Sequence, residues 1–317
     1  MKRSLFTGSL LAFGAAGGGR ALAENAVTVL YAGSLVTVVE RSLAPALAKR
    51  GITVDGEAKG SLALANLIKS GLRTPDVFVS ADAKAIDGLL GTETGAIVKW
   101  YATFAATRIV VGYAPTSTFA HSFEAVGQGR RRLTDVLLQP KLKLGRTDPK
   151  VDPKGYRTIV AAKLLSGDAN ATFASKLLGD DDNASQIFPE ETLLARLETG
   201  TLDAAFLYAT EAIARKMPYV ELPASANLGD PALATHYATA SVTIDGVKRT
   251  GGLSVYALTI PAAARNADGA AAFVAFLFTK EGRDILTTSG VTLIPPKIVG
   301  DRSAVPATVL GPLTQPV

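Results

Sequence analysis

Val27-Thr28-Val29-Leu30-Tyr31-Ala32-Gly33-Ser34-Leu35 is the stretch on which the architecture turns. Its β-branched apolar start reads as a strand. The run passes directly into Ala32-Gly33-Ser34, after which Leu35, Val38, Val39, Leu43 and Leu47 recur at helical spacing. Lys49-Arg50-Gly51 closes that segment with cations and a glycine at the C-terminal cap. The same unit of strand, Gly-Ser turn and helix follows at once. Ile52-Thr53-Val54 leads through Glu57 to Gly60-Ser61, and a helix over 62–70 ends at Gly71. A third strand, Asp76-Val77-Phe78-Val79-Ser80, precedes a helix over 83–90. Strand alternating with helix at this spacing predicts an α/β fold of parallel βαβ units with ligands at the carboxyl ends of the strands.

Further along, 108–113 reads as a strand ended by Pro115, and helix-strand alternation resumes through Leu133–Leu138 and Lys143-Leu144-Gly145. A helix follows Gly155 and another covers Leu193–Leu197. Ala204-Ala205-Phe206-Leu207-Tyr208 reads as a buried strand before a helix over 210–216. Ser254–Ile260 is a strand stopped by Pro261, and one long helix is expected from Ala270 through Lys280-Glu281-Gly282-Arg283 to Leu286. With no low-complexity linker, two domains require the chain to cross between them more than once, near residues 112 and 252. The expected division is 24–112 and 252–317 for the first lobe and 113–251 for the second.

A chain of 317 residues with 48% hydrophobic and 19% charged residues has the length for two domains and the composition of a globular protein. The absence of cysteine excludes disulfides, thiolate metal sites, cysteine nucleophiles and lipidation of an N-terminal cysteine. Two histidines, His121 and His236, are too few for a His-rich zinc site. Residues 1–23 combine Lys2-Arg3, a short apolar run and Ala21-Leu22-Ala23 before Glu24, the pattern of a secretion signal. Those residues carry Lys2, Arg3 and Arg20 and no acid, so their removal lowers the formal charge from +5 to +2. So small an excess argues against nucleic acid as a partner, and Arg130-Arg131-Arg132 reads as a solvated surface. No later stretch is a continuous apolar span of membrane length. The exported chain is expected in the periplasm without a lipid anchor.

Several residues could carry chemistry. Ser34 and Ser61 each follow a glycine at the end of a strand and open a helix, where unpaired N–H groups and a partial positive charge favour anions. Each hydroxyl could add a donor to an oxyanion cradle or simply cap its helix. Asp152 before Pro153 is good capping chemistry. Residues 145–157 lack the oxygen spacing and terminal glutamate of a calcium loop. Pro189-Glu190-Glu191-Thr192 reads alone as an acidic first turn, and Tyr208 as core. Asn170-Ala171-Thr172 and Asn183-Ala184-Ser185 match glycosylation sequons.

Val29–Leu35, Lys59-Gly60-Ser61, Pro75–Asp82, Asp152-Pro153-Lys154-Gly155-Tyr156-Arg157 and the C-terminal helix over 270–290 together resemble the periplasmic molybdate/tungstate-binding proteins of ABC importers. The likeness is greatest to the archaeal-type branch and spans nearly the whole mature chain. It implies a type II periplasmic-binding-protein fold, two α/β lobes joined by crossover strands around an oxyanion cleft. Carried onto this sequence, the first-lobe donors are Ser34 and Ser61, and the second lobe supplies Asp152, Glu190 and Tyr208. Glu190 stands eighteen residues before Tyr208, and adjacent Glu191 leaves the register open by one. In this branch the Asp and Glu complete a distorted octahedron around Mo(VI) or W(VI), a hard centre suited to carboxylate oxygen, which sulfur in sulfate cannot imitate. The resemblance thus implies molybdate or tungstate as ligand, no separate cofactor, a membrane permease as partner, a monomer and no catalysis. Two other readings stand beside it: a site for sulfate or another tetrahedral oxyanion, and an enzyme using Asp152 and Glu190 as an acid/base pair. No Gly-x-Ser-x-Gly elbow, P-loop or histidine partner for Ser34 supports the enzyme.

Overall fold

The computed structural model describes residues 26–166, 172–180 and 183–314, so the expected signal at 1–23 and Asn170-Ala171 of the first sequon lie outside the described residues. The opening unit forms as its pattern requires. Strand β1 (Val27–Ala32) runs into a helical segment, α1, over residues 33–48. That segment starts as a 3-10 turn and widens into a π turn at Val39–Leu43. The widening falls just before Pro45, which has no amide proton to donate to the preceding turn. β2 (Val54–Lys59) and α2 (Ser61–Lys69) repeat the unit, followed by β3 (Val77–Ser80) and a short α3 (Ala83–Asp87). β1 pairs in parallel with β2 and with β3, so Gly33-Ser34, Gly60-Ser61 and Ala81-Asp82 all emerge at one carboxyl edge.

β4 (Trp100–Ala106) and β5 (Ile109–Tyr113) are separated only by Thr107-Arg108, yet they belong to different sheets. Thr107-Arg108 is too short a break between two apolar runs to announce the crossing, and β4 has no counterpart in the sequence reading. The expected break at 112/113 falls inside β5, whose pairings are all with strands of the second sheet. The true crossing lies at Thr107-Arg108.

In the second sheet, α4 (Ala120–Gly127) and α5 (Leu133–Leu137) lead to β6 (Leu144–Gly145), then to α6 (Pro153–Ser166), α7 (Thr172–Leu178) and α8 (Glu190–Glu198). β7 (Ala204–Tyr208), α9 (Ala209–Ala214) and β8 (Tyr219–Glu221) follow, completing the strand order β6-β7-β5-β8. After α10 (Ala234–Tyr237), β9 (Ser241–Ile244) and β10 (Val247–Thr250) form a hairpin whose turn, Asp245-Gly246, holds both residues at positive φ (47° and 77°). An Asp-Gly pair suits that conformation. β11 (Val255–Thr259) then returns to the first sheet between β3 and β4, antiparallel to both.

The expected long C-terminal helix is two helices, α11 (Ala267–Leu277) and α12 (Lys280–Thr288). Thr279 interrupts them because its side chain accepts from the Gly282 amide and caps the second. β12 (Thr292–Gly300) closes the first sheet in the order β12-β4-β11-β3-β1-β2. Its Pro295-Pro296 disguises it as a loop. The prolines are tolerated because they fall on an edge strand, where the register with β4 shifts between Leu293 and Lys297. The last helix is α13 (Ala307–Thr314).

Strand alternation builds the core on both faces of each sheet. Val27, Val29 and Tyr31 pack on one side of β1 and Leu30 on the other, while Ile109, Val111 and Tyr113 oppose Val110 in β5. One apolar cluster runs through both sheets.

Candidate functional site at the facing edges of the two sheets

Neither Gly-Ser turn uses its serine as a helix cap. Ser61 is buried and its Oγ accepts from the Ala81 amide at 2.9 Å. Ser34, also buried, has its Oγ 3.2 Å from the Tyr256 hydroxyl. The two glycines explain how the second lobe reaches these turns. A Cβ at Gly33 would collide with Glu190 Oε2, and one at Gly60 would collide with the Val151 carbonyl and stand 3.2 Å from Asp152 Cα. Gly33 thus leaves room for the Glu190 carboxylate, and Gly60 for the Val151-Asp152 backbone of the second lobe.

Asp152 does cap α6, its Oδ1 accepting from the Lys154 amide at 2.8 Å, so its capping reading holds. Glu190 opens α8 and is buried, whereas Glu191 is exposed, which resolves the register between them in favour of Glu190 as the inward residue. A cavity of about 280 Å³ is lined by Gly60, Thr147, Val151, Asp152, Glu190 and other residues. Tyr208, at the end of β7, accepts from Arg157 Nη1 at 2.8 Å. Of the five expected residues, Asp152 and Glu190 line this cavity; Ser34 follows Gly33 beside Glu190, and Ser61 and Tyr208 are joined to the same region through Ala81 and Arg157 without lining it.

The motif Asp152–Arg157 contributes more than its aspartate. Lys154 is fully buried, with Nζ 3.1 Å from Glu190 Oε1 and 2.5 Å from Glu211 Oε1. Glu211 Oε2 accepts from the Tyr208 amide at 2.7 Å. Burial alone would lower the Lys154 pKa, but Glu190, Glu211 and Asp152 together hold it above its ordinary value. Burial holds Asp152 above the ordinary carboxylate range and Glu190 well above it, the Lys154 charge offsetting only part of the rise. Tyr156 and Arg157 reach the other lobe. Tyr156 OH donates to Asp82 Oδ2 at 2.5 Å, and Arg157 donates to the Ala81 carbonyl and lies 3.4 Å from Asp82 Oδ1. Arg157 is also held in the cationic form, because Tyr156, Tyr208 and Asp82 outweigh its burial.

Glu211 and Tyr256 carry no signal in the sequence read linearly, and Lys154, though inside a quoted motif, gains its meaning from glutamates 36 and 57 residues away. Asp82, Tyr156 and Arg157 stand in the quoted motifs, but only the fold shows that they bridge the lobes. Among the described residues no cluster of three or more His, Asp or Glu is arranged to hold a metal ion, and no helix is long and apolar enough to cross a membrane.

Two α/β lobes joined by crossing strands give this chain the type II fold of periplasmic binding proteins. The fold is shared with the periplasmic molybdate-binding protein of Azotobacter vinelandii, with a TM-score of 0.59 at 17% identity, covering 84% of this chain and 99% of that one. It is shared also with the Mycobacterium tuberculosis sulfate-binding protein SubI, with a TM-score of 0.55 at 15% identity and coverage of 90% of each chain. The chain belongs to the bacterial extracellular solute-binding protein family, whose model matches residues 27–292. It is 38% identical over 286 residues, 87% of this chain and 84% of the relative, to a Haloferax volcanii protein provisionally named an ABC transporter molybdenum-binding protein. Identity is 25% to the molybdate/tungstate-binding protein WtpA of Thermococcus kodakarensis, over 76% of this chain and 73% of that one.

Proposed function

We propose that this protein captures molybdate or tungstate between its lobes outside the cytoplasm and delivers it to a membrane ABC permease. In this reading it acts as a monomer, without a cofactor and without chemical turnover. The observation that carries the reading is the approach of the second lobe to both first-lobe turns, the Glu190 carboxylate against Gly33 and the Val151-Asp152 backbone against Gly60, beside a cavity that Asp152 and Glu190 line together.

Hydroxyls and helix amides on the first lobe suit any tetrahedral oxyanion. Two carboxylates on the opposite side would repel one, unless they bind its central atom. Mo(VI) and W(VI) are hard centres that accept carboxylate oxygen, and the sulfur of sulfate does not. The same acids then attract one class of anion and exclude the other. Lys154, paired with Glu190 and Glu211, keeps Glu190 from standing uncompensated before the ligand arrives. The names of the relatives point the same way.

The test is calorimetric titration of anion-stripped protein with tungstate, molybdate, sulfate and phosphate. Tungstate and molybdate should bind and the other two should not, with unchanged anion recovered afterwards. Asp152→Ala and Glu190→Ala should each weaken tungstate binding by about a hundredfold, as loss of a charged partner in a dry site does. Sulfate bound as tightly as tungstate, or alanine variants with unaltered affinity, would overturn the reading.

A further inference from the structure

Ser34 and Ser61 occupy the same local context but differ in what sets the direction of their hydroxyls. Ser61 receives a hydrogen bond from a backbone amide, that of Ala81. An amide can only donate, so the Ser61 proton stays uncommitted and can serve a ligand oxygen. Ser34 meets a phenol, and a phenol both donates and accepts. If Ser34 gave its proton to Tyr256 it would turn lone pairs towards the cleft and repel an anion.

The third member of the chain decides the direction. Tyr256 OH is also 3.0 Å from Thr210 Oγ1. Thr210 is fully buried at the start of α9 and its hydroxyl has no other partner among the described residues. Three hydroxyls in a row share two hydrogen bonds and leave one proton over. Running from Ser34 to Tyr256 to Thr210, the spare proton would sit on buried Thr210, and with both neighbours donating to Tyr256 it would sit on the buried phenol; neither has a further acceptor among the described residues, which is costly. Running the other way, Thr210 donates to Tyr256, Tyr256 donates to Ser34, and the spare proton is that of Ser34. Tyr256 is suited to this part, since it is fully buried and the β11–β4 register shifts between Tyr256 and Ala257, an irregularity of the kind that re-aims a side chain. Burial pushes its pKa up to about 12, so the phenol keeps its proton.

We propose that Tyr256 is a positioning residue for the oxyanion site, relaying a one-way hydrogen-bond chain from Thr210 to Ser34 so that the Ser34 hydroxyl donates into the cleft. The proposal rests on the oxyanion reading of Ser34 and gives Tyr256 no contact with the anion.

A double-mutant cycle read by tungstate titration tests it, with thermal unfolding checking that each variant is folded. Ser34→Ala should weaken tungstate binding about tenfold and Tyr256→Phe about fivefold, the scale of one hydrogen bond to a charged group. In the Ser34→Ala background Tyr256→Phe should change affinity by less than about twofold, because it acts only through Ser34. Thr210→Val should weaken binding about threefold and Thr210→Ser should restore it; this pair carries the same cycle if Tyr256→Phe does not fold. Equal losses from Tyr256→Phe in both backgrounds, or no loss where Ser34→Ala has one, would overturn the relay and leave the oxyanion site standing. An unchanged affinity in Ser34→Ala would overturn the role of Ser34 itself and the relay with it.

Discussion

The two lobes bring different chemistry to the same cleft. The first offers neutral donors, Ser34 and Ser61 at the ends of parallel strands, while the Ala63 amide in the opening turn of α2 already donates to the Val151 carbonyl of the second lobe. The second offers charge: Asp152, Lys154, Arg157, Glu190 and Glu211, all buried. Neutral donors tolerate many anions, because a hydrogen bond to one oxyanion oxygen is much like a hydrogen bond to another. Buried charges do not tolerate mismatch, since an uncompensated one costs several kcal/mol. Recognition of a general shape can therefore reside on one side and discrimination on the other, with Tyr156 and Arg157 tying the two sides together through Ala81 and Asp82.

This contrast can be broken most severely at Lys154. Lys154→Met keeps much of the volume but leaves Glu190 and Glu211 buried as like charges, so unfolding in urea should show a loss of about 3–5 kcal/mol. A variant as stable as the parent would mean that the second lobe does not depend on charge compensation. A smaller effect is expected on the neutral side. Ser61→Ala removes the acceptor of the Ala81 amide and should cost about 1–2 kcal/mol in stability while lowering tungstate and any residual sulfate affinity by similar factors. Selective loss of tungstate alone would assign discrimination to the first lobe and reverse the contrast. At the bottom of the scale, Glu191→Ala should move stability by less than about 0.5 kcal/mol and leave tungstate affinity unchanged. A large change there would shift the acid ligand one residue along.

Much of the fold was legible in local pattern. The three opening strands, the helices between them and the central strands at 109–113, 204–208 and 255–259 follow periodicity that needs no knowledge of neighbours. The strands that escaped were β4, the short β8, the β9–β10 hairpin and β12, and in β4 and β12 the signal depends on context. β4 runs almost directly into β5, and β12 contains two prolines that only an edge position permits. In the site, Ser34, Ser61 and Asp152 stood at turns that a pattern marks by itself, while Glu190 and Tyr208 came from family likeness.

The amino-acid sequence by itself determined the α/β class and the two Gly-Ser turns, because strand and helix periods and the freedom of glycine act over a few residues. It also carried the acids at 152 and 190. The tertiary structure alone decided that Glu190 rather than Glu191 faces inward, that Lys154 stands between two glutamates, and that Tyr256 joins Ser34 to Thr210. Those facts depend on side chains brought within hydrogen-bond reach from as far as 222 residues away. Direction and burial at such distances are set by packing, which local propensity does not encode.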